Sequence, residues 1–182
     1  MNRLASGAAR FVVATALAAA AAWAWMERET YRGVEALAAG WTSALVTGSH
    51  DVVDTDRGSY FVNVGTPRVF SVVVTPECSS AIATAIVLGC ALVALSARRL
   101  SVGRVLSAAA AAIGLFAVVN LLRLTFITFA SDRWGLDDGY HFSHIWAGTA
   151  ITTMGGVAAV VAFLFVLSGR GQGGRSAGAG PA

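Results

Sequence analysis

Three side chains able to take part in covalent chemistry stand at or near the ends of long apolar runs: Cys78 in TPECSSAIA, Arg123 in NLLR and His144 in HFSHIWAG. A cysteine at a helix start often serves as a small packing residue. A helix N-terminus also favours the thiolate and presents it as a nucleophile. Glu77 opposes ionisation of its neighbour unless it points to solvent, so a partner cation is needed. Arg123 lies inside its run, with Asn120 at i−3 on the same helical face. An arginine among lipid tails costs a few kcal/mol at a helix centre and less near the interface. Its guanidinium either snorkels to headgroups or serves a buried anion, and snorkelling alone does not require Asn120 beside it. His144 opens the last apolar run, and His141 precedes it by one turn. Thiol, imidazole and guanidinium together provide a nucleophile, a general acid/base and an anion stabiliser, the set that acyl transfer needs.

The remaining candidates point elsewhere. Cys90 falls in the middle of an apolar run and reads as a buried apolar residue, and His50 lies in a soluble segment with nothing to recruit it. The two cysteines form no C-x-x-C pair and have no metal-like spacing with the histidines, so no metal or cofactor is expected. A 12-residue offset on one helix puts their sulfurs about 18 Å apart, beyond disulfide reach.

Positioning these groups is the work of a membrane protein. Charged residues make up 13% of the chain against about 25% in a soluble domain, so there is too little polar surface to cover a water-soluble globule. A net charge of +3 does not imply a nucleic-acid partner, because there is no lysine and the arginines are scattered. Four apolar runs stand out: Phe11 to Trp25, Ser79 to Ala97, Val105 to Ala130 and Ile145 to Leu167. The last three approach or exceed the roughly 20 residues that cross a bilayer. The first also fits a cleaved secretory signal. Trp23, Trp25 and Met26 make a poor cleavage region and a good interfacial anchor, which favours a retained span. Either reading places residue 27 onward outside.

Charge assigns the sides. Arg3, Arg10, Arg98, Arg99, Arg104, Arg170 and Arg175 lie in segments without an acid, and every Asp and Glu lies in the complementary segments. This is the positive-inside pattern. It puts the loop between the second and third runs in the cytoplasm and Cys78, Arg123 and His144 at the outer face. Both termini are cytoplasmic if the first run is retained. The expected architecture is an all-α integral membrane protein, with about four transmembrane helices in a single domain over residues 1–168. Residues 169–182 read as a disordered Gly-rich cytoplasmic tail. In the outer segment, Val34, Leu37, Ala38, Trp41 and Leu45 fall at helical spacing and predict an amphipathic helix over Tyr31 to Leu45, lying on the membrane surface. Ser59 to Val64 and Arg68 to Val74 flank Gly65-Thr66-Pro67 and predict a β-hairpin.

Cys78 in ECSS, the N-x-x-R of Asn120 to Arg123 and the H-x-x-x-G of His144 to Gly148, in that order and after an outer hairpin, resemble the motifs of the exosortase/archaeosortase family. The resemblance covers about residues 58–167. It implies a membrane cysteine transpeptidase that recognises a C-terminal sorting signal on secreted proteins. Such an enzyme cleaves near that signal and passes the new carboxyl end to a membrane or surface acceptor. By this likeness Cys78 is the nucleophile, His144 the acid/base and Arg123 the stabiliser of the oxyanion or thiolate. Asn120 supports them, and His141 is the alternative base. The implied partners are a membrane-anchored secreted substrate and the lipid bilayer, with a partner subunit or second copy completing a short chain. Two departures stand out. The family commonly has glycine two residues after the cysteine, where this chain has Ser80, and many members have around eight spans. A catalytically inactive exosortase-like scaffold or assembly factor is therefore the alternative. A thiol redox protein is disfavoured because neither face carries paired cysteines.

Overall fold

The computed structural model describes residues 3–97 and 99–169. Helix α1 (Arg3–Met26) leads through Glu27 into α2 (Arg28–Thr47), and strands β1 (Val52–Asp54), β2 (Ser59–Val62) and β3 (Phe70–Val73) follow. A 3₁₀ turn, Pro76–Cys78, introduces α3 (Ala81–Ser96). Then come α4 (Val102–Trp134), the short α5 (Asp138–His141), a π-helical turn (Phe142–Ala147) and α6 (Gly148–Ser168). The Gly-rich tail expected beyond α6, together with Arg98, Arg170 and Arg175, lies outside the described residues.

Among the described residues, three stretches are long and apolar enough to cross a membrane: Gly7–Met26, Val102–Trp134 and Asp138–Ser168. The expected count of four is not reached. The run from Ser79 to Ala97 contains only the 16-residue α3, about 24 Å against a hydrocarbon core of about 30 Å. Ser79 is extended, Ser80 caps the helix and Ala97 ends it, so residues counted as apolar span are spent on the caps. At 33 residues, or about 50 Å, α4 is longer than any bilayer crossing needs, and its last turns project beyond one. Its ends are sharply set. Ser101 accepts a hydrogen bond from the Arg104 N–H at the start, and Gly135, at φ 89°, ends the helix in a conformation that favours glycine.

The bundle packs α1 along α3, α3 against α4 and α4 against α6. Its core is built largely from small residues, with Ala91, Ala108, Ala109, Ala112 and Ala159 among Leu17, Leu88, Leu95, Val105 and Phe163. Small side chains let helix backbones approach closely where lipid supplies no hydrophobic drive. Gly155 of α6 lies against Val119 so tightly that a Cβ there would collide with it. Outward, Val93, Met154, Val161 and Phe165 are each more than half exposed, a belt suited to lipid. At one end, Arg10 donates to the carbonyl oxygens of Leu95 (2.9 Å) and Leu100, where a cation suits the last carbonyls of α3.

The other end carries the sheet. The expected hairpin is present as β2 and β3, paired antiparallel with Tyr60 opposite Val72. The mostly helical chain carries more than the expected hairpin, because β1 adds a third strand in the order β1-β2-β3. A three-residue strand within DVVD leaves too little alternation to read. The outer helix extends on both sides of its expected limits, and its small residues form a second, inward face. Gly33, Ala36, Ala39, Gly40 and Ser43 pack inward. The stripe of Val34, Leu37, Trp41 and Leu45 faces outward, as on a helix resting on a bilayer.

Candidate active site

Polar pairs dock the sheet and α2 onto the projecting part of α4. Thr42 meets Thr125 at 2.8 Å, the Tyr60 hydroxyl meets Thr128 at 2.7 Å, and Asn63 donates to Asp132 at 2.6 Å. These contacts bring the segment that follows β3 against the α4 face bearing Asn120 and Arg123.

Cys78 is buried, 7% exposed, at the end of the 3₁₀ turn, and its N–H is bonded to the Thr75 carbonyl at 2.9 Å. The expected helix N-terminus is displaced, since α3 begins only at Ala81. The polar group that does meet the sulfur is Arg123, whose Nη2 lies 3.8 Å from Sγ. Glu77 is exposed, and its own backbone N–H and the Thr75 hydroxyl hold its carboxyl below the usual range. It therefore remains a solvated anion.

Arg123 is itself 7% exposed, and no carboxylate among the described residues comes within salt-bridge distance of it. Its Nε is buried without a hydrogen-bond partner. The guanidinium lies against the backbone of Gly148, where an added Cβ would stand 3.0 Å from Nε and 2.9 Å from the Ser143 carbonyl oxygen. This gives the glycine of H-x-x-x-G a physical reason, because a side chain there displaces the cation from the sulfur.

Asn120 does not touch the cysteine. Its Nδ2 donates to Glu35 Oε1 at 2.9 Å, and the same oxygen accepts from Ser80 N (2.9 Å) and Ser80 Oγ (2.7 Å). Tyr31 joins through Ser80 Oγ at 3.3 Å and Thr84 at 3.1 Å. The stretch from Cys78 to Ser80 is thus held from two sides, by Arg123 at the sulfur and by the Glu35 carboxylate at Ser80. Glu35, Tyr31 and Ser80 were not legible as site residues. The available signal was that Glu35 shares a helix face with Ala39, whose small side chain marks close packing.

His144 is half-buried in the π-helical turn, its ring stacked on Tyr140 with centroids 4.9 Å apart. Such turns, with their extra residue, recur at functional sites. Ser143 anchors this one by donating to the Gly139 carbonyl at 2.6 Å, and Gly139 packs directly on the Ala130 carbonyl of α4. His144 and Cys78 line one cavity of about 360 Å³, with Phe70, Val73, Ile127 and Tyr140 among its other walls. No hydrogen bond joins the two residues. His141 is exposed and does not line that cavity. Among the described residues no group of acids, histidines and cysteines is arranged to hold a metal.

Chemically, the arrangement offers a sulfur beside an unneutralised guanidinium, with an imidazole across a ligand-sized space. No protein-family model, curated protein or solved structure matches the chain.

Proposed function

We propose that the chain is a membrane-embedded cysteine transpeptidase or peptidase, acting at the outer face of the cytoplasmic membrane on the C-terminal sorting signal of secreted proteins. The observation that carries this reading is the Arg123 guanidinium, buried without a carboxylate and 3.8 Å from the Cys78 sulfur. A buried cation without a counter-ion is costly, and a thiolate or an oxyanion at this spot supplies the missing charge. The absence of acids from the end that carries Arg10, Arg99 and Arg104 supports the orientation. All ten acids lie at or near the sheet end, and Arg10, Arg99 and Arg104 lie at the other.

In this mechanism the Cys78 thiolate attacks a peptide carbonyl carbon, and Arg123 stabilises the charge that gathers on the carbonyl oxygen. Collapse breaks the C–N bond. His144, as imidazolium, gives its proton to the leaving amine and becomes the base that deprotonates the acceptor nucleophile. The acceptor attacks the Cys78 thioester, forms the new bond and returns the thiolate. Ser80 is no obstacle in this chain, since its hydroxyl turns toward Glu35.

The scaffold reading draws on one feature, the absence of a Cys78–His144 hydrogen bond. Catalytic contacts in unliganded enzymes are often loose and tighten on substrate binding. The rate at which a membrane-impermeant maleimide labels Cys78 in intact cells separates the two, measured in a Cys90→Ala background. The enzyme predicts labelling faster than at an ordinary outer-face cysteine, and slower after Arg123→Gln. Ordinary rates in both proteins support the scaffold.

A further inference from the structure

We propose that the substrate binds as an added β-strand on the free edge of β3, which leads its scissile carbonyl to Cys78. The inference rests on the cysteine-peptidase reading and concerns how its substrate is recognised. Strand order β1-β2-β3 leaves β3 at the sheet edge. The Val74 N–H donates to the Gly58 carbonyl at 2.9 Å, and the register sets Tyr60 opposite Val72 and Val62 opposite Phe70. Bonded and non-bonded pairs alternate in an antiparallel ladder, so residues 70, 72 and 74 bond to β2. The N–H and C=O groups of Ser71 and Val73 therefore point away from it.

They point toward the candidate site. Phe70, Ser71, Val72, Val73 and Thr75 line the cavity that also holds Cys78 and His144. A second cavity of about 440 Å³ adjoins it, sharing Phe70, Ser131 and Leu136 and reaching back to Pro67. The result is a groove along one strand, closed on its far side by α4 and the turn after it, with the nucleophile at one end. Its shape suits an extended chain better than a compact molecule. An extended polypeptide presents alternating N–H and C=O groups at the spacing that Ser71 and Val73 offer, and this is how peptides are recognised at open sheet edges. Backbone bonds tolerate many side chains, and Phe70, Ile127 and Leu136 supply apolar walls for those that point inward.

The probe is an acetylated Val-Ala-Val-Ala chloromethyl ketone, compared with versions N-methylated at each nitrogen in turn and with chloroacetone, on the full-length Cys90→Ala protein in membranes. Methylation at alternate nitrogens should slow alkylation of Cys78 roughly tenfold, the worth of one good hydrogen bond, while the intervening positions change little. Val73→Pro removes an edge-facing N–H and leaves the β2 ladder intact, as proline at sheet edges does. Relative to chloroacetone, it should slow the peptide probe by about the same factor. Equal rates for all methylated probes, or for Val73→Pro and the parent, overturn the strand proposal. If chloroacetone labels Cys78 in an Arg123-dependent manner while the peptide gains nothing, only the strand proposal falls. If Cys78 resists every reagent, the peptidase reading falls and takes this inference with it.

Discussion

The two cores of this molecule are built on different terms. The bundle core around Ala91, Ala108 and Ala112 joins alanines to Leu17, Leu88, Leu95, Val105 and Phe163, and its stability rests on close approach of helices. The sheet-end core joins Tyr60, Val62, Val74, Cys78 and Leu124, and polar contacts thread through and around it. Tyr60 is tied to Thr128, Glu35 to Ser80 and Asn120, and Arg123 to the sulfur. A lipid-bathed fold does not need the second construction, since buried polar groups cost free energy unless every partner is in place. They concentrate at one end, around one thiol, where the proposed chemistry lies.

Changes that separate the two ends sharpen this contrast. The largest effect is expected from Gly148→Val, whose side chain enters the space of the guanidinium. Activity should fall at least 100-fold while insertion and accumulation stay normal, as judged by cleavage of a co-expressed substrate and by membrane immunoblot. Arg123→Lys should lose most activity as well, because an ammonium lacks the planar fork and is more strongly hydrated. By contrast, at Gly156 the nearest atom to an added Cβ is 3.9 Å away on Phe116, so Gly156→Ala should be neutral.

Next in size is Glu35→Ala. It leaves the Ser80 N–H and Asn120 without their acceptor, a loss of about 1–3 kcal/mol for each buried group. Proteolysis at the β2–β3 turn should accelerate while the helices remain protected; equal protection in the variant would remove Glu35 from the account. A smaller effect attends Tyr60→Phe, about 1 kcal/mol for the lost bond to Thr128. Burial raises the Tyr60 phenol well above its ordinary 10.0. Because the unfolded phenol ionises first, the stability of the sheet end should fall as pH rises above 10.0, and Tyr60→Phe should abolish that part of the fall. Hydrogen exchange at β2 amides measures both. Reporter fusions at Ser101 and Asp137 should give opposite localisation signals, and the same side for both would undo the outer-face assignment.

Much of this layout was legible in the chain. Apolar runs give the long helices because alanine-rich stretches in lipid have no other way to satisfy their backbone. The β2–β3 pairing followed from Gly65-Thr66-Pro67 between two strand-like segments. Spacing alone placed Arg123 on the face of Asn120 and His144 at the head of its run. Two kinds of feature were missed, contacts distant in sequence and local turns without periodicity. Glu35 meets Ser80, 45 residues away, only once the fold has formed. The π-helical turn under His144 has no periodic signature, and β1 is too short to have one. Asn120, singled out beside Arg123, is bonded to Glu35 and not to the thiol.

The central claim is that Cys78 forms a covalent acyl intermediate. Its most direct test is recovery of the Cys90→Ala protein from host membranes under acid quench, followed by mass analysis of the peptide that contains Cys78. A polypeptide adduct on Cys78 that neutral hydroxylamine releases is the expected result. The adduct should vanish in Cys78→Ala and form far more slowly in His144→Ala, which lacks the acid that releases the leaving amine. A protein that processes substrate normally with Cys78 replaced by alanine would contradict it.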